Sequence, residues 1–182
     1  GALSQLPKVL KANGVNRPFV VTDPGLKANG LLDTLLATLG APPAGVFTDT
    51  PPNPTEYASR AAADAYRGSG ADGIIAFGGG SSMDLAKAMG LMVTHEGPFE
   101  RLGGSKRGMK FITKIPPLVA VPTTAGTGSE VSPGAVVILD NGMKETFVSA
   151  HLVPVAAVCD PELTLGLPAS LTAATGMDAM TH

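Results

Sequence analysis

The chain has 182 residues, which is enough for one domain with a full hydrophobic core, or for one domain and part of another. Hydrophobic residues make up 44% of it and charged residues 15%, a balance typical of an α/β protein whose parallel strands are covered on both faces. The formal net charge of −2 provides no basic field. The charge therefore argues against nucleic acid or an anionic membrane as a partner and favours a small molecule.

Cysteine usage and the lack of a targeting segment predict the compartment. The single cysteine, Cys159, cannot form an intrachain disulfide, and no segment resembles a signal peptide or an apolar span long enough to cross a bilayer. These features predict a cytoplasmic protein. The chain begins at Gly1 without a methionine and stops at His182 within a helical pattern, so both ends are expected to be cuts in a longer sequence.

Strand and helix patterns alternate through the first half of the chain. The predicted strands are 18–23, 44–49 and 73–77, and the predicted helices are 3–11, 26–39, 56–67 and a fourth that begins at Ser81. This alternation predicts a doubly wound, mostly parallel sheet of the Rossmann-like kind. In such sheets, ligands bind at the carboxyl ends of the strands.

Three glycines, Gly78 to Gly80, follow the third predicted strand and precede Ser81 at the start of a helical pattern. Without Cβ atoms, the backbone can adopt positive φ and approach a ligand closely, and the first helical N–H groups stay free to donate. A phosphate group is the natural occupant of such a turn. Taken alone, the run is equally consistent with a plain flexible turn.

Two further polar residues follow the other predicted strands. At Asp23, a carboxylate can accept hydrogen bonds from a ribose 2′-hydroxyl and would repel a 2′-phosphate, which favours NAD over NADP; it is equally suited to cap the next helix. Asn53 lies in a proline-rich loop and, like Thr55, is a candidate helix cap. Because these residues and the glycine turn all lie at strand ends, we expect them to face one crevice.

The second half of the chain contains a small-residue loop and a hairpin signal. Its predicted strands are 117–122, 135–140, 146–149 and 153–158, and residues 91–107 are predicted to be irregular. The loop at 123–132 is rich in hydroxyl groups, which suits a pyrophosphate or a carboxamide, or a turn in which Ser129 caps a helix. Asn141-Gly142 predicts a hairpin, and Lys144 after it is either a surface lysine or a cation directed at phosphate or substrate.

Asp178 and His182 lie on a helix predicted from residue 167 onward. Four residues apart, they share one helix face, so a carboxylate oxygen and an imidazole nitrogen could bind one divalent cation. An isolated pair at this spacing is more often a surface hydrogen bond. Two protein ligands also leave a metal site incomplete, so further ligands would have to come from residues absent from this chain.

Six segments, in their order and spacing, resemble the iron-dependent, or group III, alcohol dehydrogenase family. They are Val21-Thr-Asp-Pro-Gly-Leu26, Pro52-Asn-Pro-Thr55, Gly78-Gly-Gly-Ser-Ser-Met-Asp84, Pro122-Thr-Thr-Ala-Gly-Thr-Gly-Ser-Glu130, Asp160-Pro-Glu-Leu-Thr164 and Ala173-Ala-Thr-Gly-Met-Asp-Ala-Met-Thr-His182. The resemblance implies a dinucleotide-binding domain over residues 1–165 and the start of an all-helical metal-binding domain over 166–182. It also implies hydride transfer between an alcohol and NAD, with an aldehyde or ketone as product, in a homo-oligomer, commonly a dimer.

The resemblance further implies roles for individual residues. Those expected to contact the cofactor are Asp23, Asn53, Gly78, Gly79, Gly80, Ser81, Asp84, Thr123, Thr124, Thr127, Lys144 and Leu163. Asp178 and His182 match the first two metal ligands, which act through Fe²⁺ as a Lewis acid, and the family's remaining two are histidines of the helical domain. Zn²⁺ and other divalent cations fit the same two ligands.

Two other interpretations keep the same fold. The 182-residue chain by itself is expected to be a nucleotide-binding module, which binds NAD weakly and turns nothing over because it holds half of the metal ligands. Glycerol dehydrogenases and dehydroquinate synthases share the architecture, but the segments around Gly128 and Met177 resemble the alcohol dehydrogenase branch. Every interpretation with catalysis requires the Asp178 helix to face the glycine turn across a cleft.

Overall fold

The apolar runs of the sequence form a parallel sheet in the computed structural model, which describes residues 1–181. The strands are β1 (Pro18–Val21), β2 (Gly45–Phe47), β3 (Gly73–Gly78), β4 (Leu118–Pro122), β5 (Gly134–Ile138), β6 (Lys144–Val148) and β7 (Ala156–Ala157). The helices are α1 (Leu6–Ala12), α2 (Pro24–Ala28), α3 (Leu31–Leu39), α4 (Glu56–Ser69), α5 (Gly80–Thr94) and α6 (Ala169–Thr181). Five strands pair in parallel in the order β2-β1-β3-β4-β7, which confirms the predicted Rossmann-like α/β fold.

The central strand β3 is buried on both faces because helices cover the sheet from both sides. Ile75 and Phe77 point into one hydrophobic cluster, whereas Ile74 and Ala76 point into the other, as the two-residue period of a strand requires. Helices α1 and α3 contribute to the first cluster, and α4 and α5 contribute to the second. The carboxyl end of β3 is therefore held rigidly where the glycine turn begins.

Strands β5 and β6 form the predicted antiparallel hairpin, and Gly142 in its turn adopts a φ of 81°. One face of the hairpin packs into a third cluster, in which the rings of Phe99 and Phe147 stack with centroids 4.2 Å apart. On the same face, Glu145 is buried and accepts hydrogen bonds from the amide and hydroxyl of Ser105. The opposite face of the hairpin, which includes Val136 and Val148, lines a cleft.

Three predictions for the elements were wrong in detail. The helix expected at 26–39 is two helices, α2 and α3, because Gly30 between them takes a left-handed φ of 82°. The strand expected at 153–158 is reduced to β7, since Pro154 has no N–H to donate to a strand ladder. The segment expected to be irregular, 91–107, continues α5 to Thr94 and then forms short 3₁₀ turns. Within residues 1–181, no helix has the length and apolar character needed to span a membrane.

Candidate functional site

A cleft of about 960 Å³ lies where α5 begins, between the loop that follows β4, the hairpin and α6. Several residues predicted from the sequence line it together: Asn53, Gly80, Ser81, Asp84, Thr127, Lys144 and Asp178. Apolar side chains of the hairpin, among them Val136 and Val148, form the opposite wall. The cleft thus combines a helix start, a carboxylate, a cation and an apolar surface.

The glycine turn leaves the start of α5 uncapped by any side chain. Gly78 takes a φ of 147°, and a Cβ there would collide with the side chain of Ser82, so this position requires glycine. Gly79 is the N-cap residue and makes no side-chain cap hydrogen bond, while the hydroxyl of Ser81 donates to the carbonyl of Pro52. The first amides of α5 are therefore available to an anion in the cleft.

The loop at 123–133 lies directly against this helix start. A Cβ on Gly79 would be 3.2 Å from the Thr124 hydroxyl oxygen, and a Cβ on Gly80 would be 2.8 Å from the Thr127 methyl carbon. The amide of Thr123, which is buried, donates to the carbonyl of Gly78 at 3.0 Å. The three predicted threonines are thus brought to the glycine turn, although Thr123 and Thr124 are not among the cleft-lining residues of the described chain.

Asp84 links α5 to both the loop and the hairpin. One carboxylate oxygen accepts a 2.7 Å hydrogen bond from the Ser129 hydroxyl, and the other accepts a 3.0 Å bond from the Val136 amide. Burial raises the pKa of Asp84, although these hydrogen bonds and the charges of Lys87 and Lys144 oppose the shift. The carboxylate is therefore a structural acceptor as well as part of the cleft wall.

Lys87 is a polar residue of this region to which the sequence analysis assigned no role. Its side chain is fully buried, and its ammonium donates to oxygen atoms of Ser129, Ser132 and Gly134. Burial lowers its pKa to about 8. The sequence contained a signal for this burial, because the neighbours of Lys87 in the helix are apolar: Leu85, Ala86, Ala88 and Met89.

The carboxylate of Asp23 caps α2, as one of its two interpretations predicted. One of its oxygens accepts hydrogen bonds from the amides of Gly25 and Leu26 at 2.9 and 3.1 Å, and the other lies 3.4 Å from the Ser82 hydroxyl oxygen. Contact with a ribose stays a prediction. For α4, the observed cap is Thr55, so the suggestion that Asn53 caps this helix was wrong.

Asp178 lines the same cleft as Gly80 and Ser81 at the start of α5, an arrangement that every interpretation with catalysis requires. It is half-buried on α6, and a Cβ on Gly126 would be 2.9 Å from one of its carboxylate oxygens and 2.5 Å from the Thr175 carbonyl oxygen. His182, the other predicted metal ligand, lies outside the described residues. Within 1–181, no three His, Cys, Asp or Glu side chains group closely enough to hold a metal ion.

Leu163, another predicted cofactor residue, lies in the hydrophobic core. It is buried in the hydrophobic cluster that also contains Val121 and Val158, on one face of the sheet. It is not among the described residues that line the cleft. Its burial is explained by packing, and a contact with the cofactor stays a prediction.

Comparisons with known proteins show the family of this chain. The family model for iron-containing alcohol dehydrogenases matches residues 1–161. A 4-hydroxybutyrate dehydrogenase of Cupriavidus necator is 52% identical over 183 residues, an alignment that covers 100% of this chain and 48% of that protein. The chain thus spans about half the length of the curated relatives that it matches.

Solved structures show the same similarity in three dimensions. A crystal structure of a 1,3-propanediol oxidoreductase matches with a TM-score of 0.91 and 36% identity, covering 99% of this chain and 47% of that one. A sulfoacetaldehyde reductase from Bifidobacterium kashiwanohense, solved in complex with NAD⁺, matches with a TM-score of 0.86 and 32% identity, covering 98% and 47%. The family model matches residues 1–161, and the parallel sheet and the glycine turn are consistent with it, so the chain belongs to the iron-containing alcohol dehydrogenase family.

Proposed function

We propose that the protein containing this chain is an NAD-dependent, metal-assisted alcohol dehydrogenase, and that residues 1–165 form its dinucleotide-binding domain. The observation that carries the proposal is the shared cleft, whose walls include both the uncapped start of α5 and Asp178. A dinucleotide bound by its phosphates at the start of α5 would have its nicotinamide end free to extend toward Asp178. Residues 166–181 would then be the first part of a metal-binding domain.

The first turn of α5 supplies the features that a pyrophosphate needs. The amides of Gly80 and Ser81 lie at the positive end of the helix dipole, and Lys144 adds a cation to the same cleft. The second oxygen of the Asp23 carboxylate, which accepts a 3.4 Å hydrogen bond from the Ser82 hydroxyl, would also accept one from a ribose hydroxyl and would repel a 2′-phosphate. This arrangement supports NAD rather than NADP as the cofactor.

The carboxylate of Asp178 fits a divalent metal ion because a hard oxygen ligand suits Fe²⁺ and Zn²⁺ alike. We propose that Asp178 and His182 are two ligands of an Fe²⁺ site. When bound, the metal would supply Lewis-acid chemistry to an alcohol and NAD⁺ would supply the hydride acceptor. The contribution of the hairpin is to exclude water, since Val136, Ile138 and Val148 place an apolar wall along the cleft.

A direct test measures NADH formation by the full-length protein from a panel of primary alcohols. The relative that is 52% identical is named a 4-hydroxybutyrate dehydrogenase, so 4-hydroxybutyrate heads the panel, followed by 1,3-propanediol and ethanol. We expect activity with NAD⁺, a much lower rate with NADP⁺, loss on chelation and recovery with Fe²⁺. Activity that is indifferent to chelation would contradict the metal-assisted mechanism.

The ligand role of Asp178 is tested separately by metal content. We expect Asp178→Asn to lower the iron bound per protein molecule while NADH binding is retained, because the amide is a poorer ligand than the carboxylate. Asp64→Asn is the matched control, since Asp64 lies on the exposed surface of α4, where it pairs with Arg67. An unchanged metal load in Asp178→Asn would remove this residue from the ligand set.

For the 182-residue chain alone, we propose cofactor binding without turnover. The chain carries two of the four metal ligands that the resemblance implies, Asp178 and His182, and two protein ligands leave a divalent-cation site incomplete. Titration with NADH should show weak binding, and alcohol oxidation should be undetectable. Measurable dehydrogenase turnover by the 182-residue chain would overturn this second proposal.

The cellular location and the oligomeric state of the protein are two further proposals. We propose a cytoplasmic homo-oligomer, in keeping with a lone cysteine and with what the resemblance implies. Cell fractionation and light scattering of the full-length protein test the two statements independently.

A further inference from the structure

The ammonium group of Lys87 organises the loop that borders the cleft. The side chain is 0% exposed, and its Nζ atom lies between 2.8 and 3.1 Å from the carbonyl oxygens of Ser129, Ser132 and Gly134 and the hydroxyl oxygen of Ser129. An ammonium group has three N–H donors, so these acceptors occupy its whole capacity. Lys87 is therefore committed to the protein backbone and is unavailable to a ligand.

The acceptors come from one short stretch of chain, residues 129–134, which ends at the first residue of β5. The carbonyl groups of Ser129, Ser132 and Gly134 all accept hydrogen bonds from the Nζ atom of Lys87, so one cation links three points of this stretch. A buried cation without such partners would in turn be strongly destabilising, because nothing would replace its lost hydration. The loop conformation and the burial of Lys87 thus depend on each other.

The loop that Lys87 holds also carries the groups that face the proposed cofactor site. Thr124 and Thr127 lie against Gly79 and Gly80 at the start of α5, and Gly126 lies against Asp178 on α6. A shift of the loop away from Lys87 would therefore move both threonines relative to the helix amides.

We propose that Lys87 is a positioning residue for the cofactor cleft: its ammonium group holds the loop at 123–134 against α5 and so sets the places of Thr124 and Thr127 at the phosphate-binding turn. Lys87 does not touch the cofactor itself. This inference rests on the proposed function, because it takes the cleft as the site of NAD.

The test compares Lys87→Met with Lys8→Met in the full-length protein. Methionine keeps the length and flexibility of the side chain but leaves the three carbonyl groups without their donor, whereas Lys8 lies exposed on α1. NADH affinity is measured by fluorescence titration well below the melting temperature, and hydrogen exchange is followed across 123–134. We expect about a tenfold weaker NADH affinity and faster exchange in this loop for Lys87→Met, and neither change for Lys8→Met.

The two readouts separate failure of this inference from failure of the proposed function. A wild-type protein that does not bind NADH at all would remove the proposed function, while the exchange data would still report whether Lys87 holds the loop. Normal NADH affinity in Lys87→Met, even with lowered thermal stability, would make Lys87 an ordinary structural residue and overturn the inference.

A second variant keeps the inference testable if Lys87→Met does not fold. Ser129→Ala removes one acceptor of Lys87 and the link to Asp84 but leaves the three carbonyl contacts. We expect about a threefold loss of NADH affinity and faster exchange near residue 129. Unchanged affinity and exchange in Ser129→Ala would count against the role of Lys87.

Discussion

The hydroxyl of Ser129 donates a 2.7 Å hydrogen bond to the carboxylate of Asp84, which joins the loop after β4 to the cleft face of α5. These residues are 45 positions apart in the chain. The second oxygen of the same carboxylate accepts the Val136 amide, so one side chain ties the helix to both the loop and the hairpin. The shape of the cleft consequently depends on a few polar contacts between elements that are distant in sequence.

Removal of this carboxylate should lower stability more than removal of an exposed one. We expect Asp84→Ala to decrease the free energy of unfolding by about 2 kcal/mol, because the Ser129 hydroxyl and the Val136 amide lose their acceptor. Asp64→Ala, which breaks an exposed pair with Arg67, should cost less than about 1 kcal/mol. Chemical denaturation of the purified variants measures the difference, and equal losses would contradict the linking role of Asp84.

The two interpretations of Asp23 can be separated by a conservative change. Asn is as good a helix cap as Asp, so Asp23→Asn should leave the unfolding free energy almost unchanged. Its loss of negative charge should weaken NADH binding and improve NADPH binding, since repulsion of a 2′-phosphate is removed. Fluorescence titration with both cofactors checks this expectation.

Thr55, a helix cap that is not among the described residues lining the cleft, serves as the reference for that experiment. Thr55→Ala should lower the free energy of unfolding by about 1 kcal/mol, because the hydroxyl accepts from the Ala58 amide at the start of α4. Its cofactor preference should match that of the wild type. If Asp23→Asn likewise keeps the wild-type preference, Asp23 is a cap and nothing more.

We expect replacement of Gly80 to change NADH binding in the cleft rather than the stability of α5. A Cβ there would lie 2.8 Å from the Thr127 methyl carbon, so Gly80→Ala should displace Thr127 and weaken NADH binding about tenfold. Gly68→Ala is the control, since nothing lies within 4 Å of that position on α4, and alanine there should stabilise the helix by up to about 1 kcal/mol. Unaltered NADH affinity in Gly80→Ala would show that the loop accommodates the methyl group.

The buried ammonium group should leave a signature in the pH dependence of stability. Burial lowers the pKa of Lys87 to about 8 from an ordinary value of 10.5, although Asp84 on the same helix and Glu130 in the facing loop oppose the shift. Between these two values, the unfolded chain binds a proton that the folded chain has released, so the free energy of unfolding rises with pH in this window and is flat below it. The signature is therefore a gain in stability on the alkaline side.

Subtraction of a variant isolates this contribution from other groups that titrate at alkaline pH. The unfolding free energy of the wild type minus that of Lys87→Met should increase from about pH 8 to about pH 10. Chemical denaturation at a series of pH values gives this difference directly. A difference that is constant across the window would mean that Lys87 keeps its proton in the folded protein.

Local signals were sufficient for much of the fold and for part of the site. The Ile-rich run of β3, the Asn141-Gly142 turn and the Thr55 cap are each encoded within a few neighbouring residues, and each is present in the structure. The glycine turn could also be predicted locally, because three consecutive glycines before a helical pattern indicate it without information from the rest of the chain. Short-range steric and hydrogen-bonding rules are enough to predict such features.

Other features depended on contacts that no local pattern contains. The sequence by itself determined the strand–helix alternation, the glycine turn before α5 and the position of Asp178 on a helix. Only the tertiary structure decided that Gly126 lies against Asp178, that the second oxygen of Asp23 lies beside Ser82, and that Lys87 is buried beneath the loop. The physical reason is that burial and hydrogen-bond partners are set by residues from distant positions, whereas periodicity and turn chemistry report only on near neighbours.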